Sequence, residues 1–589
     1  MLIYPLKLSV AGPLMATGLQ TNINGIDAPF LRDHAGNFII PGTQLRGILR
    51  HVLEAMAEAA PHLDIPEKIA LLFGRPSGSA GSGGFESGAK DWEPDRGHAV
   101  ISDLIANPIK NVSKTMTRIA VDDFSGSVKP GHLQILEQPV GLGKVVEFHG
   151  TLSLQLPEDR ASEYLNWLAK ALALVPAIGA HKSAGFGRVV DATLGQTAQN
   201  RTAETPFDSK TIEAVAEADA AEVIITFDGP FLISAETWNS NLLSGKSRVP
   251  GSAIKAVIAQ QMGAKDPQHK LHEVLADVII SEFRPSKPAG SRGKTLPLSY
   301  FAVQGMDELV DAFDFDPEEW AADGAVVSFQ PDWKDDNIAV ASMKTQLNDR
   351  YEEQRHVRTR TAISKNGTAA TGQLFTYSSV IPGEYVWKGI IRRGSASRKA
   401  FLALLCCLPE RLEAFGKTRT GASLTIAPLA TKSRLTAKGR VRIVLETAAC
   451  LHTPADLHGF SDVTDPSERL RRQYQAYFAN ALRQAGVQDA PSFEDDSLQL
   501  LFFAQQRRVG GYLAARYPVT DEGYYPWLLT VEGSAFEFVL PDGYEQALQT
   551  FLAAGLPLPV GFSGHRRRWQ GNPFVPENGY GEIRMMSDC

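Results

Sequence analysis

The chain repeats itself, and a repeat decides architecture before any single motif can. Three features recur in the same order. The first is Ile40-Pro41-Gly42-Thr43-Gln44-Leu45-Arg46, echoed by Val249-Pro250-Gly251-Ser252-Ala253-Ile254-Lys255. The second is Thr117-Arg118-Ile119-Ala120-Val121 with Gly131-His132-Leu133 downstream, against Thr359-Arg360-Thr361-Ala362-Ile363 with Gly372-Gln373-Leu374 downstream. In both copies an apolar, β-branched stretch follows, Val145 to Leu152 and Tyr385 to Ile391, alternating as a half-buried strand does. The third feature is a glycine and basic loop, His181 to Arg188 in one copy and Phe415 to Gly421 in the other, with a related Gly579-Tyr580-Gly581 near the end of the chain.

Read in order, these features spell strand, loop, helix, strands, helix, glycine loop, strand, which is a β-α-β-β-α-β unit with insertions. The expected fold class is therefore α+β, with more than one such unit in tandem. At 589 residues the chain exceeds what one core can organise. The expected division is a first domain over 1–195, a linker over 196–217, a second domain over 218–432 and a third over 433–589, where alternation restarts at Val441-Arg442-Ile443-Val444-Leu445. Ser77 to Gly88, rich in glycine and serine, reads as a flexible insertion. Its glycines could instead cradle phosphate, but no GK[ST] ending accompanies them.

Composition narrows the function class. No apolar run is long enough to cross a bilayer, so no membrane partner is expected. The opening Met1 to Lys7 reads as a first strand and lacks the pattern of a secretory leader. Four cysteines, two of them adjacent at Cys406 and Cys407, form neither a disulfide framework nor a CxxC pair, which fits a reducing cytoplasm. The 13 histidines show no ligand spacing, so no structural metal is expected. A net charge of −7 counts against general attraction to nucleic acid, and any RNA contact must be local.

Local candidates exist. In the Pro41-Gly42-Thr43 turn, Thr43 is placed to cap a helix whose Leu45, Ile48, Leu49, Val52 and Leu53 share one face. Arg46 and Arg50 share another, one turn apart, where they can meet neighbouring phosphates beside the helix N-terminus. Lys255 takes the place of Arg46 in the second copy. The bland alternative is a solvated helix face, and only the repetition favours phosphate. The loop holding Lys182, Ser183, Gly185, Gly187 and Arg188 combines close backbone approach with two cations, although a plain turn would look the same. Arg566, Arg567 and Arg568 beside Trp569 could stack on a base or be a surface run.

At this point the residues carry a resemblance. The Pro-Gly-[Ser/Thr] helix start, the Thr-Arg-x-Ala segment followed by Gly-x-Leu, and the glycine loop together resemble the RAMP superfamily of CRISPR proteins. Residues 1 to about 195 resemble the backbone subunit of type III effectors, including Leu72-Phe73-Gly74 and His98 to Asp103. Residues from about 220 onward resemble the type III-D subunit that caps the 5′ handle, through Leu296-Pro297-Leu298-Ser299, Thr368 to Tyr377 and Asn578 to Glu582.

The resemblance implies tandem ferredoxin-like (RRM-like) domains with β-hairpin thumbs, here Thr117 to Gln138 and Thr359 to Val380. It implies guide (CRISPR) RNA, complementary target RNA and the other type III effector subunits as partners. Thr117, Arg118, Thr359, Arg360, Lys417 and Arg419 join the RNA-binding candidates. Gly25-Ile26-Asp27-Ala28-Pro29 resembles the loop in which the backbone family holds a cleaving aspartate, which makes Asp27 the candidate catalytic residue of an endoribonuclease. A carboxylate there could act as base or through a bound Mg²⁺, the one cofactor implied. Otherwise Asp27 only caps the turn into Pro29. The second domain has no such segment between Pro230 and Pro250, where Glu236, Trp238 and Asn241 stand, and should bind RNA without cutting it. Two rivals remain: a scaffold of the same fold without activity, and a guide-processing endoribonuclease.

Overall fold

The structure is a computed structural model, which describes residues 2–17, 25–75, 95–108, 114–156, 158–195, 199–200, 207–233, 236–239, 241–262, 269–303, 308–314, 327–328, 338–348, 351–363, 369–429, 439–487, 500–519, 524–540, 544–562 and 571–586. The Ser77 to Gly88 insertion and the Arg566 to Trp569 run lie outside the described residues. The chain is mixed α+β with several antiparallel sheets.

Three sheets share one strand order. In the first, Leu2–Ala11 runs between Arg188–Leu194 and Val145–Leu154, and Val145–Leu154 pairs on its other side with Ala99–Ile101 and Leu104–Ala106. In the second, Ala220–Phe227 lies between Thr420–Pro428 and Val386–Arg392, which in turn pairs with Ile279–Ile280 and Arg284–Ser286. In the third, Gly439–Leu445 lies between Ile583–Met585 and Ala535–Leu540, which pairs with Leu500–Phe503. Each time the first strand sits between the fourth and the third, and a helix follows the first and third strands. Every one of these pairings is antiparallel, so the repeat seen in sequence is a repeat of topology.

Contacts divide the chain into two compact units. One holds 1–204 with 235–244 and 355–381, and the other holds the remainder. The hairpin expected over Thr359 to Val380 therefore belongs to the same compact unit as the first domain, although the chain reaches it through the second. The C-terminal part of the expected linker is the helix Ser209–Ala218, which buries Ile212, Val215 and Ala216. A helical period was present there, but alanines and charges obscured it.

In the first unit the core lies between the sheet and two helices. Gly42–Ala59 contributes Leu45, Leu49 and Leu53, and Glu158–Ala173 contributes Tyr164, Leu168 and Leu172, against Leu6, Leu8, Val10, Phe148 and Leu152. The Gly42–Ala59 helix starts one residue earlier than expected, with Pro41 at the N-cap, so Thr43 stands exposed in the first turn and caps nothing. Gly42 is required by packing: a Cβ there would lie 2.2 Å from the Ser102 carbonyl oxygen and 2.3 Å from that of Ile101. Gly251 repeats this against the Ile280 oxygen at 1.8 Å. The Pro-Gly repeat is thus the mark of a helix whose start presses on a neighbouring backbone.

In the second unit, Phe227, Phe231, Phe415 and Trp387 form an aromatic core, with Phe227 stacked on Phe231 at 4.1 Å and the Trp387 indole donating to the Ser247 carbonyl at 2.6 Å. A buried ionic network supports it. Glu446 accepts from both Arg284 and Arg584, and from the Thr295 amide at 2.9 Å. Glu582 accepts both prongs of Arg292 at 2.6 and 2.7 Å. Burial opposes the Glu582 charge, but Arg292, Arg284 and Arg392 outweigh it and hold the carboxyl down at about 2.

Candidate nucleic-acid interface

The first hairpin, Lys114–Val121 paired with Val128–Gln138, brings three expected segments together. Its register sets Thr117 opposite Ile135 and Arg118 opposite Gln134. The loop after Gly25, which turns at φ +79, lies along the outgoing strand. The Asp27 amide donates to the Ile135 carbonyl at 3.0 Å, and the Ile135 amide donates back to Asp27 Oδ2 at 2.7 Å. Glu137 fixes the same loop from the next strand position but one. It accepts the Phe30 amide at 2.8 Å and both prongs of Arg32, at 3.0 and 2.5 Å. Asp27 itself is exposed and held at the hairpin base.

The glycine loop meets the hairpin from the other side. Arg118 Nη1 donates to His181 Nδ1 at 2.6 Å, and its guanidinium stands 6.0 Å from the Phe186 ring. Phe186 is buried with Met15, Ala28 and Leu136, so the residue after Asp27 and the glycine loop share one small apolar cluster. Burial, and then the Arg118 charge, lower the His181 pKa, which keeps the imidazole neutral with Nδ1 as acceptor. His181 and Gly185 are left-handed at φ +57 and +83. Gly187, at φ +67, has no room for a side chain, its Cβ position being 1.8 Å from the Ile178 oxygen. Lys182, Ser183, Gly185 and Arg188 are exposed, as is Thr117.

The other copy is only partly similar. Gly416 packs against Leu232, the Lys417 amide donates to the Leu232 carbonyl at 2.9 Å, and the Lys417 side chain is exposed. Arg419 is half-buried with φ +55. On the second hairpin the Thr359 hydroxyl meets that of Thr376 at 3.0 Å, and Arg360 lies over the Tyr377 ring at 4.8 Å. Among the described residues, Arg118 and Arg360 share a trait: each rests on an aromatic ring and hydrogen-bonds no carboxylate.

The Pro-Gly helices stand apart from this convergence. Arg46 donates to the Phe73 carbonyl and lies over that ring at 5.5 Å, while Arg50 pairs with Glu54 at 3.0 Å. The Gly42 amide donates to Asp103 Oδ1 at 3.1 Å, so a carboxylate of the chain occupies the helix start where a phosphate was expected. Lys255 is 9% exposed, and burial drives its pKa down to about 7 despite Glu577 and Asp277 nearby. Its ammonium faces protein, and it lies in the other compact unit.

Sequence reasoning passed over His181, Arg32, Glu137, Asp103 and Arg358. Arg358 pairs with Asp103 at 2.6 Å. One cue was available: His356, Arg358 and Arg360 alternate, so a strand puts all three on one face. Among the described residues no group of three His, Cys, Asp or Glu could hold a metal, and no helix is long and apolar enough to cross a membrane.

Residues 7–190 match the family model described as the RAMP superfamily. No curated protein matches the chain. Among solved structures, a chain in the cryo-EM structure of the Type III-B Cmr-beta bound to cognate target RNA and AMPPnP, state 1, is similar at TM-score 0.30 and 11% identity, covering 54% of this chain and 86% of that one. So low a TM-score carries no argument about this chain.

Proposed function

From the RAMP-superfamily match over residues 7–190, we propose that this chain is a subunit of a type III CRISPR RNA-guided effector. It binds guide RNA through backbone contacts, caps the 5′ handle with its later domains, and cuts complementary target RNA beside Asp27. The shared strand order of the three sheets supports tandem ferredoxin-like (RRM-like) domains with the two hairpins as thumbs. The reading is carried by one observation: the Asp27 loop, the Thr117–Arg118 hairpin base and the glycine loop meet around Phe186. Cations and exposed amides there suit phosphate without reading sequence. A cytoplasmic complex with guide RNA, target RNA and further subunits is the working context.

The chemistry asked of Asp27 is modest. Its carboxylate takes the proton of a target 2′-hydroxyl, and the freed oxygen attacks the adjacent phosphorus. The bond to the 5′ oxygen breaks, a 2′,3′-cyclic phosphate remains, and water returns a proton to the leaving oxygen. Among the described residues Oδ2 is engaged by the Ile135 amide, and Oδ1 has no hydrogen-bond partner. One such oxygen with waters and phosphate oxygens fits a Mg²⁺ ion, which binds through one or two carboxylates plus substrate phosphates. Such an ion would supply charge neutralisation at the phosphate.

The Ile135 bond also favours the scaffold reading, in which Asp27 serves the loop alone. Asp27→Asn separates the two, because an amide oxygen still accepts from Ile135 while the base is gone. In the assembled complex, loss of one target-cleavage product with guide binding retained supports cleavage. Undiminished cleavage leaves a guide-binding scaffold.

A further inference from the structure

The second hairpin carries a pair of cations that the first unit does not neutralise. His356, Arg358 and Arg360 share one face of strand Gln354–Ile363. Arg358 pairs with Asp103 at 2.6 Å, but that carboxylate also accepts the Gly42 amide, and the buried Arg358 Nε has no hydrogen-bond partner among the described residues. Arg360, half-buried, lies on Tyr377 at 4.8 Å and hydrogen-bonds no carboxylate among them. His356 adds no charge, since burial and then Arg358 lower its pKa to about 4. Two neighbouring guanidinium groups thus share one carboxylate in a place partly stripped of water, an arrangement that is costly until an anion completes it. A guanidinium held flat on a ring keeps its N–H edge for planar, two-pronged recognition of oxyanions.

We propose that the face of the second hairpin bearing Arg358 and Arg360 is a phosphodiester site for single-stranded RNA, separate from the Asp27 site on the first hairpin. Tyr377 holds Arg360 in orientation, and Asp103 keeps Arg358 in place while leaving its Nε edge for the ligand. The proposal rests on the reading that the chain binds RNA, and free phosphate shares the same chemistry.

The test maps arginine reactivity toward phenylglyoxal on the full chain freed of nucleic acid, with a short single-stranded RNA or with inorganic pyrophosphate. Expected are protection of Arg358 and Arg360 by RNA, RNA affinity lowered about tenfold in Arg360→Gln, and a salt slope shallower by about 0.7, the loss of one single-strand phosphate contact. Arg360→Lys, which keeps the charge, should recover part of the affinity, and thermal melting shows that both variants fold. Protection by pyrophosphate alone overturns the RNA assignment, and protection by neither overturns the site. If Arg118→Gln weakens RNA binding while Arg360→Gln matches wild type in affinity and slope, this inference falls and the proposed function stands. If wild type binds no RNA, the proposed function falls as well.

Discussion

Arg358 Nη1 meets Asp103 Oδ2 at 2.6 Å, and the other oxygen of the same carboxylate accepts the amide of Gly42 at 3.1 Å. A residue late in the chain is thereby fastened, through one side chain, to the start of the first helix of the same compact unit. The pair is well covered, at 15% and 33% side-chain exposure, so it is not a screened surface contact. Asp103→Ala should lower the stability of the full chain by about 2 kcal/mol, because a helix-start donor and a guanidinium lose their acceptor together. Asp103→Asn, which keeps an oxygen for Gly42, should cost about half of that. Urea denaturation of the three proteins checks the order, and equal stability of Ala and wild type would remove the fastening role.

Two glycines of one helix should respond in opposite senses to the same methyl group. Gly42→Ala drives a Cβ into the carbonyls of Ser102 and Ile101 and should destabilise by about 2 kcal/mol or more. Gly47 meets nothing within 4 Å, so Gly47→Ala should stabilise by about 0.5–1 kcal/mol through helix propensity. Thermal melting of the two variants decides whether the Pro-Gly start is a packing requirement.

Acid sensitivity should begin above the range in which carboxylates titrate. Burial lowers the His452 pKa from 6.5 to about 4, with Asp456 only partly opposing it. The unfolded chain then binds a proton that the folded chain refuses. Stability is whole above pH 6.5 and falls as pH drops toward 4, by up to about 3 kcal/mol from this group. Glu582, held at about 2 against an ordinary 4.5, adds a loss only as pH falls from 4.5 toward 2. His452→Asn should flatten the upper part of the stability profile and leave the lower part, as followed by urea unfolding at stepped pH.

Asp27 substitutions should affect cleavage far more than folding. The side chain is exposed and makes a single hydrogen bond, so Asp27→Asn should melt with wild type. Target cleavage in the assembled complex should fall by about 100-fold or more if the carboxylate is the base. A Mg²⁺ titration of the wild-type complex, followed by product yield, shows whether an ion shares the work.

The sequence alone determined what is local or periodic. Repetition disclosed units of one topology, alternation disclosed the strands of both hairpins, and Leu45, Leu49 and Leu53 disclosed the buried face of the first helix. The motif around Asp27 was legible because turn chemistry is written in neighbouring residues. What the cations touch was not legible. Arg46, Arg50 and Lys255 looked like phosphate ligands because spacing reports a shared face and says nothing of a Phe73 carbonyl, a Glu54 carboxylate or a buried environment. The membership of 355–381 in the first compact unit, the Asp103 bridge and the meeting of Arg118 with His181 were decided by tertiary structure. Those contacts join residues dozens to hundreds of positions apart, and the free energy of a charge depends on the partners and the water that folding leaves beside it.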